Sequence, residues 1–317
     1  MTFNNFLTKS PLILTECAIS ERLRRRSDIE LHPVLFNTPL IYEANGRNRL
    51  EEIYYSYLEV ANEANLPILF CAPTWKVNRE RIQEARAPSS INRDAVTFMK
   101  EFKARYASDH SEIIIGALLA PKNDCYSPGA ALERSQAAEF HGWQIDELVE
   151  ADPEVIIAQT MPAVCESLGM ADRLAGSGKP YIISFVINRF GRVLDGTSLA
   201  EAIDRIDQTA VSPPTGYMVN CVYPTFLDAE NQAPDFFKRL VGIQANASSK
   251  DHDQLDGSEQ LQQDPLPDWG KNMTQLHKNY GVKILGGCCG TDHTYLRYLA
   301  DSLSKILIDR TGQTETS

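Results

Sequence analysis

The chain has 317 residues, of which 43% are hydrophobic and 23% charged, and its formal net charge is −11. This composition is typical of a globular protein with a sizeable core, and the acidic charge argues against sequence-independent nucleic-acid binding, which depends on clustered lysine and arginine. No run of about 18 apolar residues is present, so no membrane-spanning segment is predicted. Seven cysteines without a recognisable signal peptide indicate reduced thiols and predict a cytoplasmic protein.

Strand-like apolar runs alternate with amphipathic helical patterns eight times along the chain. Near-continuous Val, Ile, Leu and Phe in these runs is typical of parallel strands buried on both faces. Eight such units predict a single (β/α)8 TIM barrel, in the α/β class, as one domain over residues 1–317. A doubly wound open sheet is the alternative, but no Gly-x-Gly-x-x-Gly follows the first strand.

The predicted strands are Pro11–Cys17, Pro67–Ala72, Ile113–Ala120, Glu154–Thr160, Pro180–Ile187, Tyr217–Tyr223, Val241–Ala245 and Val282–Gly286. The clearest predicted helices are Arg93–Tyr106, Ala137–Glu150, Val164–Ala175, Leu199–Asp207, Trp269–Tyr280 and Tyr295–Leu307.

Two connections between predicted elements are long. Residues Thr74–Asn92 follow the second strand, and Asn246–Asp268 follow the seventh. Both leave carboxyl ends of strands, the face on which barrel enzymes build their active sites. The second connection is rich in Ser, Asp, Gln and Pro and is longer than most loops of compact domains. Its sequence fits either a decoration without function or a lid over the site.

Three of the seven cysteines lie at the ends of predicted strands. Cys288 and Cys289 follow the eighth strand between glycines, and Cys221 is near the end of the sixth. In a barrel these ends open onto one mouth, so the three sulfurs can converge. Three thiolates with a vacant fourth position suit a catalytic zinc ion, because zinc favours soft sulfur ligands. Ordinary buried thiols are the alternative, and we favour it for Cys17, Cys71, Cys125 and Cys165.

The same residues carry a resemblance to a known family. Residues Gly286–Thr291 read Gly-Gly-Cys-Cys-Gly-Thr. Together with the upstream pair Asn220-Cys221, this segment resembles the signature of zinc-dependent homocysteine S-methyltransferases. The resemblance covers nearly the whole chain and implies a barrel whose three thiolates hold zinc, with the substrate thiol as the fourth ligand. Supporting segments are Pro73–Arg79, Ile182–Phe185 and Leu194–Leu199.

The resemblance implies an S-methyltransferase whose simplest thiol substrate is homocysteine, giving methionine. A free thiol with a pKa near 8.5 is mostly protonated at pH 7, and metal coordination removes that proton to leave a good nucleophile. The partners are then a small-molecule thiol and a methyl donor: a small sulfonium, a betaine-like compound or a methylated corrinoid protein. The donor and the oligomeric state, a homo-oligomer included, stay open. The implied substrate contacts are Glu16, Thr74, Gln159, Thr160 and Asn220.

Two positions depart from the family pattern. The family opens with Asp-Gly-Gly or Asp-Gly-Ala after the first strand, whereas this chain has Thr-Glu-Cys-Ala, in which Glu16 can stand for the acid. The fourth strand of the family ends with Glu-Thr, and here it ends with Gln159-Thr160. A neutral amide forfeits the charge-assisted part of a hydrogen bond to a substrate amino group, about 1 kcal/mol. Two alternatives follow: a methyltransferase for a different thiol, and a barrel that has lost catalysis and binds zinc or a metabolite.

Overall fold

The structure is a computed structural model that describes residues 2–108, 110–255, 258 and 260–312. Eight strands are present in this part of the chain: β1 (Ile13–Thr15), β2 (Ile68–Ala72), β3 (Ile113–Leu119), β4 (Val155–Met161), β5 (Tyr181–Phe185), β6 (Gly216–Val222), β7 (Leu240–Ala245) and β8 (Ile284–Gly287). They form a closed barrel in chain order, and β8 pairs in parallel with β1. The predicted (β/α)8 barrel is therefore confirmed, and every predicted strand overlaps an observed one.

Helices surround the barrel and connect its strands. They are α1 (Phe3–Lys9), α2 (Ser20–Arg24), α3 (Ala44–Ala64), α4 (Arg79–Ala85), α5 (Ile91–Tyr106), α6 (Arg134–Ala151), α7 (Val164–Ala175), α8 (Leu199–Thr209), α9 (His252–Leu255), α10 (Leu266–Tyr280) and α11 (His293–Gly312). Short 3-10 turns lie at Thr38–Tyr42, Pro128–Ala130, Pro224–Leu227, Ala229–Asn231 and Pro234–Lys238. Within the described ranges, no helix combines the length and the apolar character needed to cross a membrane.

The two long connections contain helical turns of their own. The first predicted loop, Thr74–Asn92, holds α4, and the second, Asn246–Asp268, holds α9 and the first residues of α10. Residues 256, 257 and 259 of the second loop lie outside the described part of the chain.

Apolar side chains pack in two layers that follow from strand alternation. Successive strand residues point to opposite faces, so Ile13 faces the inside of the barrel while Leu14 packs in the layer between strands and helices. Because both faces of each strand are covered, almost every strand residue is buried. This explains the near-continuous apolar runs from which the strands were predicted.

A short helix that the sequence analysis missed closes the amino-terminal end of the barrel. Phe3, Phe6 and Leu7 of α1 pack against interior strand residues such as Ile284. Lys283, which precedes β8, donates a hydrogen bond to the Leu7 carbonyl oxygen at 2.8 Å. Phe3, Phe6 and Leu7 have the i, i+3, i+4 spacing of an apolar helix face, which was the available signal. With this end closed, the carboxyl ends of the strands form the open face.

Gly169 on α7 lies against α6 with no room for a side chain. A Cβ atom there would lie 2.6 Å from Ala137 Cβ and 2.8 Å from Ala138 N. We therefore expect Gly169→Ala to lower the free energy of unfolding by about 1–3 kcal/mol, despite the higher helix propensity of alanine. Gly176→Ala is the matched control, because its new methyl group would meet only the Arg173 carbonyl oxygen at 3.6 Å. Urea unfolding measures both; equal stabilities would contradict the packing argument.

Candidate active site and metal centre

The sulfur atoms of Cys221, Cys288 and Cys289 converge at the carboxyl end of the barrel. All three lie within 4.8 Å of one another, and those of Cys221 and Cys288 are 2.9 Å apart. Cys221 and Cys288 are partly buried, whereas Cys289 is exposed. Among the described residues, this is the one group of three or more Cys, His, Asp or Glu side chains with metal-ligand spacing. The structure thus brings together the three sulfurs proposed from the sequence.

Cys221 reaches the mouth through an irregular end of β6. Its φ is 55°, in the left-handed region that non-glycine residues rarely adopt, and the register of β6 against β7 shifts between Asn220 and Val222. In a regular strand, neighbouring side chains would point to opposite faces. Here Asn220 Nδ2 instead donates to Cys221 Sγ at 3.4 Å, so both residues serve the site. Thr160 on β4 shows the same departure, with φ 62°.

Cys288 and Cys289 lie in a tight glycine-rich turn after β8. A Cβ atom at Gly287 would lie 2.7 Å from Thr291 Cβ and 2.9 Å from Cys17 Sγ, so a side chain does not fit there. Gly290 has φ 82°, a conformation that favours glycine. The backbone N–H of Cys289 donates to Asn246 Oδ1 at 3.2 Å, which ties the turn to the end of β7.

The Asn220 amide joins three strand ends. Its Oδ1 accepts hydrogen bonds from Thr160 N at 2.9 Å and Ser184 Oγ at 2.7 Å, and its Nδ2 donates to Thr160 Oγ1 at 2.7 Å. Asn220 is 1% exposed, and this network fixes its orientation. Two of the predicted substrate residues, Thr160 and Asn220, therefore lie beside Cys221. Ser184 was not singled out, although a hydroxyl in the apolar run of β5 was the signal.

A second polar chain runs from β4 to the turn after β1. Gln159 Nε2 donates to Gln244 Oε1 at 2.7 Å, and Gln244 Nε2 donates to the backbone oxygen of Glu16 at 3.3 Å. Two predicted substrate residues, Gln159 and Glu16, are thereby connected through a residue that the sequence analysis missed. Gln244 is 5% exposed within the apolar strand β7, and that break in the apolar pattern could have identified it.

Glu16 is a buried carboxyl group without a cationic partner among the described residues. Its two oxygens lie 3.2 and 3.3 Å from the backbone N–H nitrogen of Cys71, and Thr15 Oγ1 donates to one of them at 3.4 Å. Burial raises the pKa of Glu16 to about 8, although these hydrogen bonds lower it. Glu16 therefore keeps its proton at pH 7, and a cation bound beside it would favour the ionised form.

Thr74 has a structural role in this geometry. The residue is fully buried, and its hydroxyl donates to the Leu118 carbonyl oxygen and accepts from the Leu118 N–H, each at 2.8 Å. These bonds join the segment after β2 to β3. The proposed substrate contact at Thr74 stays a prediction, without support from this arrangement.

Three loops meet beside the sulfur cluster. Tyr126, from the loop after β3, lies close enough to Cys221 for the two side chains to influence each other electrostatically. Its ring stacks on His252, in the long loop after β7, with centroids 4.8 Å apart. The neighbouring Asp251 pairs with Arg189, from the loop after β5, at 2.8 Å. These contacts favour a lid over a decoration for the loop after β7.

The buried Glu166 side chain anchors the loop that carries Tyr126. His141 Nε2 on α6 lies 2.8 Å from Glu166 Oε1 on α7, and neither side chain is exposed. The same carboxylate accepts hydrogen bonds from the backbone N–H groups of Lys122 at 2.8 Å and Leu132 at 3.2 Å. These residues flank Tyr126 in the chain, so Glu166 fixes both arms of its loop. His141 is thus a packing residue.

The pKa values of the three thiols shift in opposite directions. Hydrogen bonds from Cys288 and then Cys289 hold the pKa of Cys221 well below its ordinary range. The hydrogen bond with Cys221 raises the pKa of Cys288 and brings that of Cys289 to about 12. The charge of Cys221 also raises the pKa of Tyr126, so the phenol keeps its proton. Cys221 is therefore the thiol of the cluster that favours the thiolate, which is the form that binds a soft cation.

Comparisons with known proteins extend this description. A family model described as homocysteine S-methyltransferase matches residues 13–303. The metallated form of the homocysteine methyltransferase MmuM from Escherichia coli has 16% sequence identity and a TM-score of 0.70, over 94% of this chain and 98% of that one. Its oxidized form has 17% identity and a TM-score of 0.69, over 93% and 97%. At such identities the likeness is one of fold. Curated protein sequences give no match.

The raised pKa of Glu16 predicts a pH-dependent stability. Because the folded protein holds a proton on Glu16 up to about pH 8 and the unfolded chain releases it near pH 4.5, the free energy of unfolding loses up to about 1.4 kcal/mol per pH unit across that window. Glu16→Gln removes this loss, so the stability of the variant relative to wild type should rise from pH 5 to 8 and level off above it. Urea unfolding at stepped pH measures the difference; a pH-independent difference would contradict the burial argument.

Proposed function

The chain belongs to the homocysteine S-methyltransferase family and is a methyltransferase, and on that premise we propose that it methylates homocysteine to methionine at a zinc site formed by Cys221, Cys288 and Cys289. The observation that supports this proposal most strongly is the convergence of three sulfurs from β6 and the turn after β8. The proposed methyl donor is a small sulfonium or a similar compound. The proposed location is the cytoplasm, and a homo-oligomer stays a prediction.

The donor set fits zinc in chemistry and spacing. Zinc–sulfur bonds of about 2.3 Å in a tetrahedron place sulfur atoms roughly 3.8 Å apart, a value between the 2.9 Å separation of Cys221 and Cys288 and the 4.8 Å within which all three sulfurs lie. A lowered pKa at Cys221 supplies negative charge in advance. Cys289 is exposed, so a ligand can approach the cluster from solvent. Three protein ligands with one accessible side are the pattern of a catalytic rather than a structural site.

When bound, zinc would remove the proton of a substrate thiol and leave a nucleophilic sulfur. In the net reaction, a bond forms between that sulfur and the methyl carbon, the bond from the methyl carbon to its donor breaks, and the thiol proton passes to solvent. The chain's contribution is orientation: Asn220 Nδ2 donates a hydrogen bond to Cys221 Sγ, and Tyr126 lies near it. Such positioning favours transfer by holding the reacting atoms together.

The amino acid portion of homocysteine has candidate contacts beside the sulfurs. Glu16 is buried and protonated. An ammonium group bound beside it would favour release of that proton and would pair with the resulting carboxylate. Gln244 connects Gln159 to Glu16 by one hydrogen bond to each residue. We propose that Glu16 is the countercharge and that Gln159, Thr160 and Asn220 shape the pocket around it.

A different thiol is the second candidate substrate, and Gln159 is the observation that favours it. A neutral amide at this position is engaged with Gln244 and gives an ammonium group no charge-assisted bond. Titration calorimetry of the zinc-loaded protein with homocysteine, cysteine and glutathione separates the two candidates. Homocysteine binding tighter than that of the other thiols would exclude the second candidate.

Loss of one sulfur should abolish metal binding and methyl transfer together. We expect about one zinc per chain in the wild type and in the control Cys165→Ser, whose thiol on α7 is outside the cluster. Cys288→Ser should lose the zinc and at least about 100-fold of homocysteine methylation with a sulfonium donor. Elemental analysis and a methionine assay measure these. Reduced wild-type protein without zinc, or Cys288→Ser with full activity, would contradict the proposal.

A further inference from the structure

Lys76, just after β2, has a largely buried side chain whose charge the chain leaves unpaired. The residue is 7% exposed, and its ammonium has no ion-pair or hydrogen-bond partner among the residues that the structure describes. Its Nζ lies over the face of the Trp75 ring, 5.0 Å from the ring centroid. Lysine side chains are rarely buried to this extent without a partner, because partial loss of water around an unpaired ammonium group is costly.

The preceding residue adds a second donor without an acceptor. Trp75 Nε1 is buried and has no hydrogen-bond partner in the described part of the chain. The indole ring is held in place by Phe36, with ring centroids 5.6 Å apart. An indole N–H can only donate, and a lysine ammonium can only donate. Two neighbouring side chains therefore present hydrogen-bond donors that nothing described in the protein accepts.

The backbone at this position is strained and firmly held. Lys76 has φ 61°, in the left-handed region that a long side chain rarely adopts. The Thr74 carbonyl oxygen accepts hydrogen bonds from Val77 N at 3.1 Å and from Gln144 Nε2 at 2.8 Å, which pin the turn on both sides. Strain that the surroundings impose in this way is concentrated at functional sites.

The turn belongs to the same mouth as the sulfur cluster. Lys76 lies in electrostatic reach of Asp124 and Cys125, and Cys125 is in turn in reach of Cys221. Asp124 does not form an ion pair with Lys76; its carboxylate accepts hydrogen bonds from Tyr126 N at 3.1 Å and Ser127 Oγ at 2.7 Å. An anion at Lys76 would therefore lie beside the loop that carries Tyr126.

We propose that Lys76 and Trp75 form a carboxylate-binding subsite of the active-site mouth. One ammonium and one indole N–H match the two oxygens of a carboxylate, and a phosphate would require more donors and more charge. The proposal rests on the proposed function for its substrates, both of which can carry a carboxylate: homocysteine, and a donor such as S-methylmethionine. The subsite would then select against substrates that lack a carboxylate.

Calorimetry with matched ligands tests the subsite and identifies the source of the carboxylate. Zinc-loaded wild type, Lys76→Met and Trp75→Phe are titrated with homocysteine and with 3-aminopropane-1-thiol, which lacks only the carboxylate. S-methylmethionine and (3-aminopropyl)dimethylsulfonium form the corresponding donor pair. We expect Lys76→Met to weaken one carboxylate-bearing ligand about 10- to 100-fold and Trp75→Phe to weaken it about fivefold, with no change for its decarboxylated analogue.

Lys122→Met is the control, because that nearby lysine is paired with Glu80 at 3.1 Å and should leave binding unchanged. The melting temperature of Lys76→Met should equal or exceed that of wild type, since an unpaired buried charge is removed; if this variant fails to fold, Trp75→Phe carries the test. Unchanged affinities in both variants, or an equal loss for the decarboxylated analogues, would overturn the subsite while wild-type binding stays intact. Wild type that binds neither homocysteine nor S-methylmethionine would overturn the proposed function and the subsite together.

Discussion

The Asn220 amide is the interaction on which the site depends. It joins β4, β5 and β6 through the backbone of Thr160 and the hydroxyls of Thr160 and Ser184, and it touches Cys221 as well. Thr160 and Cys221 both occupy the left-handed region, at a cost of about 1–3 kcal/mol each. The surrounding barrel holds the backbone in this strained conformation. As a result, neighbouring residues on one strand face the same pocket.

Buried polar groups around the sulfurs are organised before any substrate binds. Glu16 holds its proton, Gln159 and Gln244 are joined amide to amide, and Asn220 has partners for both atoms of its amide. Because these groups are already desolvated and oriented, a substrate that matches them meets little reorganisation. The thiol cluster differs, since Cys221 favours the thiolate and so favours a cation.

The sequence allowed the barrel and the sulfur cluster to be predicted because both depend on local signals. Apolar runs mark strands buried on both faces, and Gly-Cys-Cys-Gly at a strand end marks close packing together with metal ligands. Ser184, Gln244 and Lys76 could not be found this way. The roles of Ser184 and Gln244 arise from hydrogen bonds to other strands, and that of Lys76 arises because no described residue pairs with its ammonium group. The role of Tyr126 depends on a loop held by Glu166 from another helix, which spacing along the chain does not reveal.

Zinc K-edge X-ray absorption of the reduced, zinc-loaded protein, with and without homocysteine, tests the central claim most directly. We expect three sulfur neighbours at about 2.3 Å and one lighter atom in the free protein. Added homocysteine should replace the lighter atom by a fourth sulfur. Fewer than three sulfur neighbours, or a sulfur count that homocysteine leaves unchanged, would contradict a thiol-activating site at Cys221, Cys288 and Cys289.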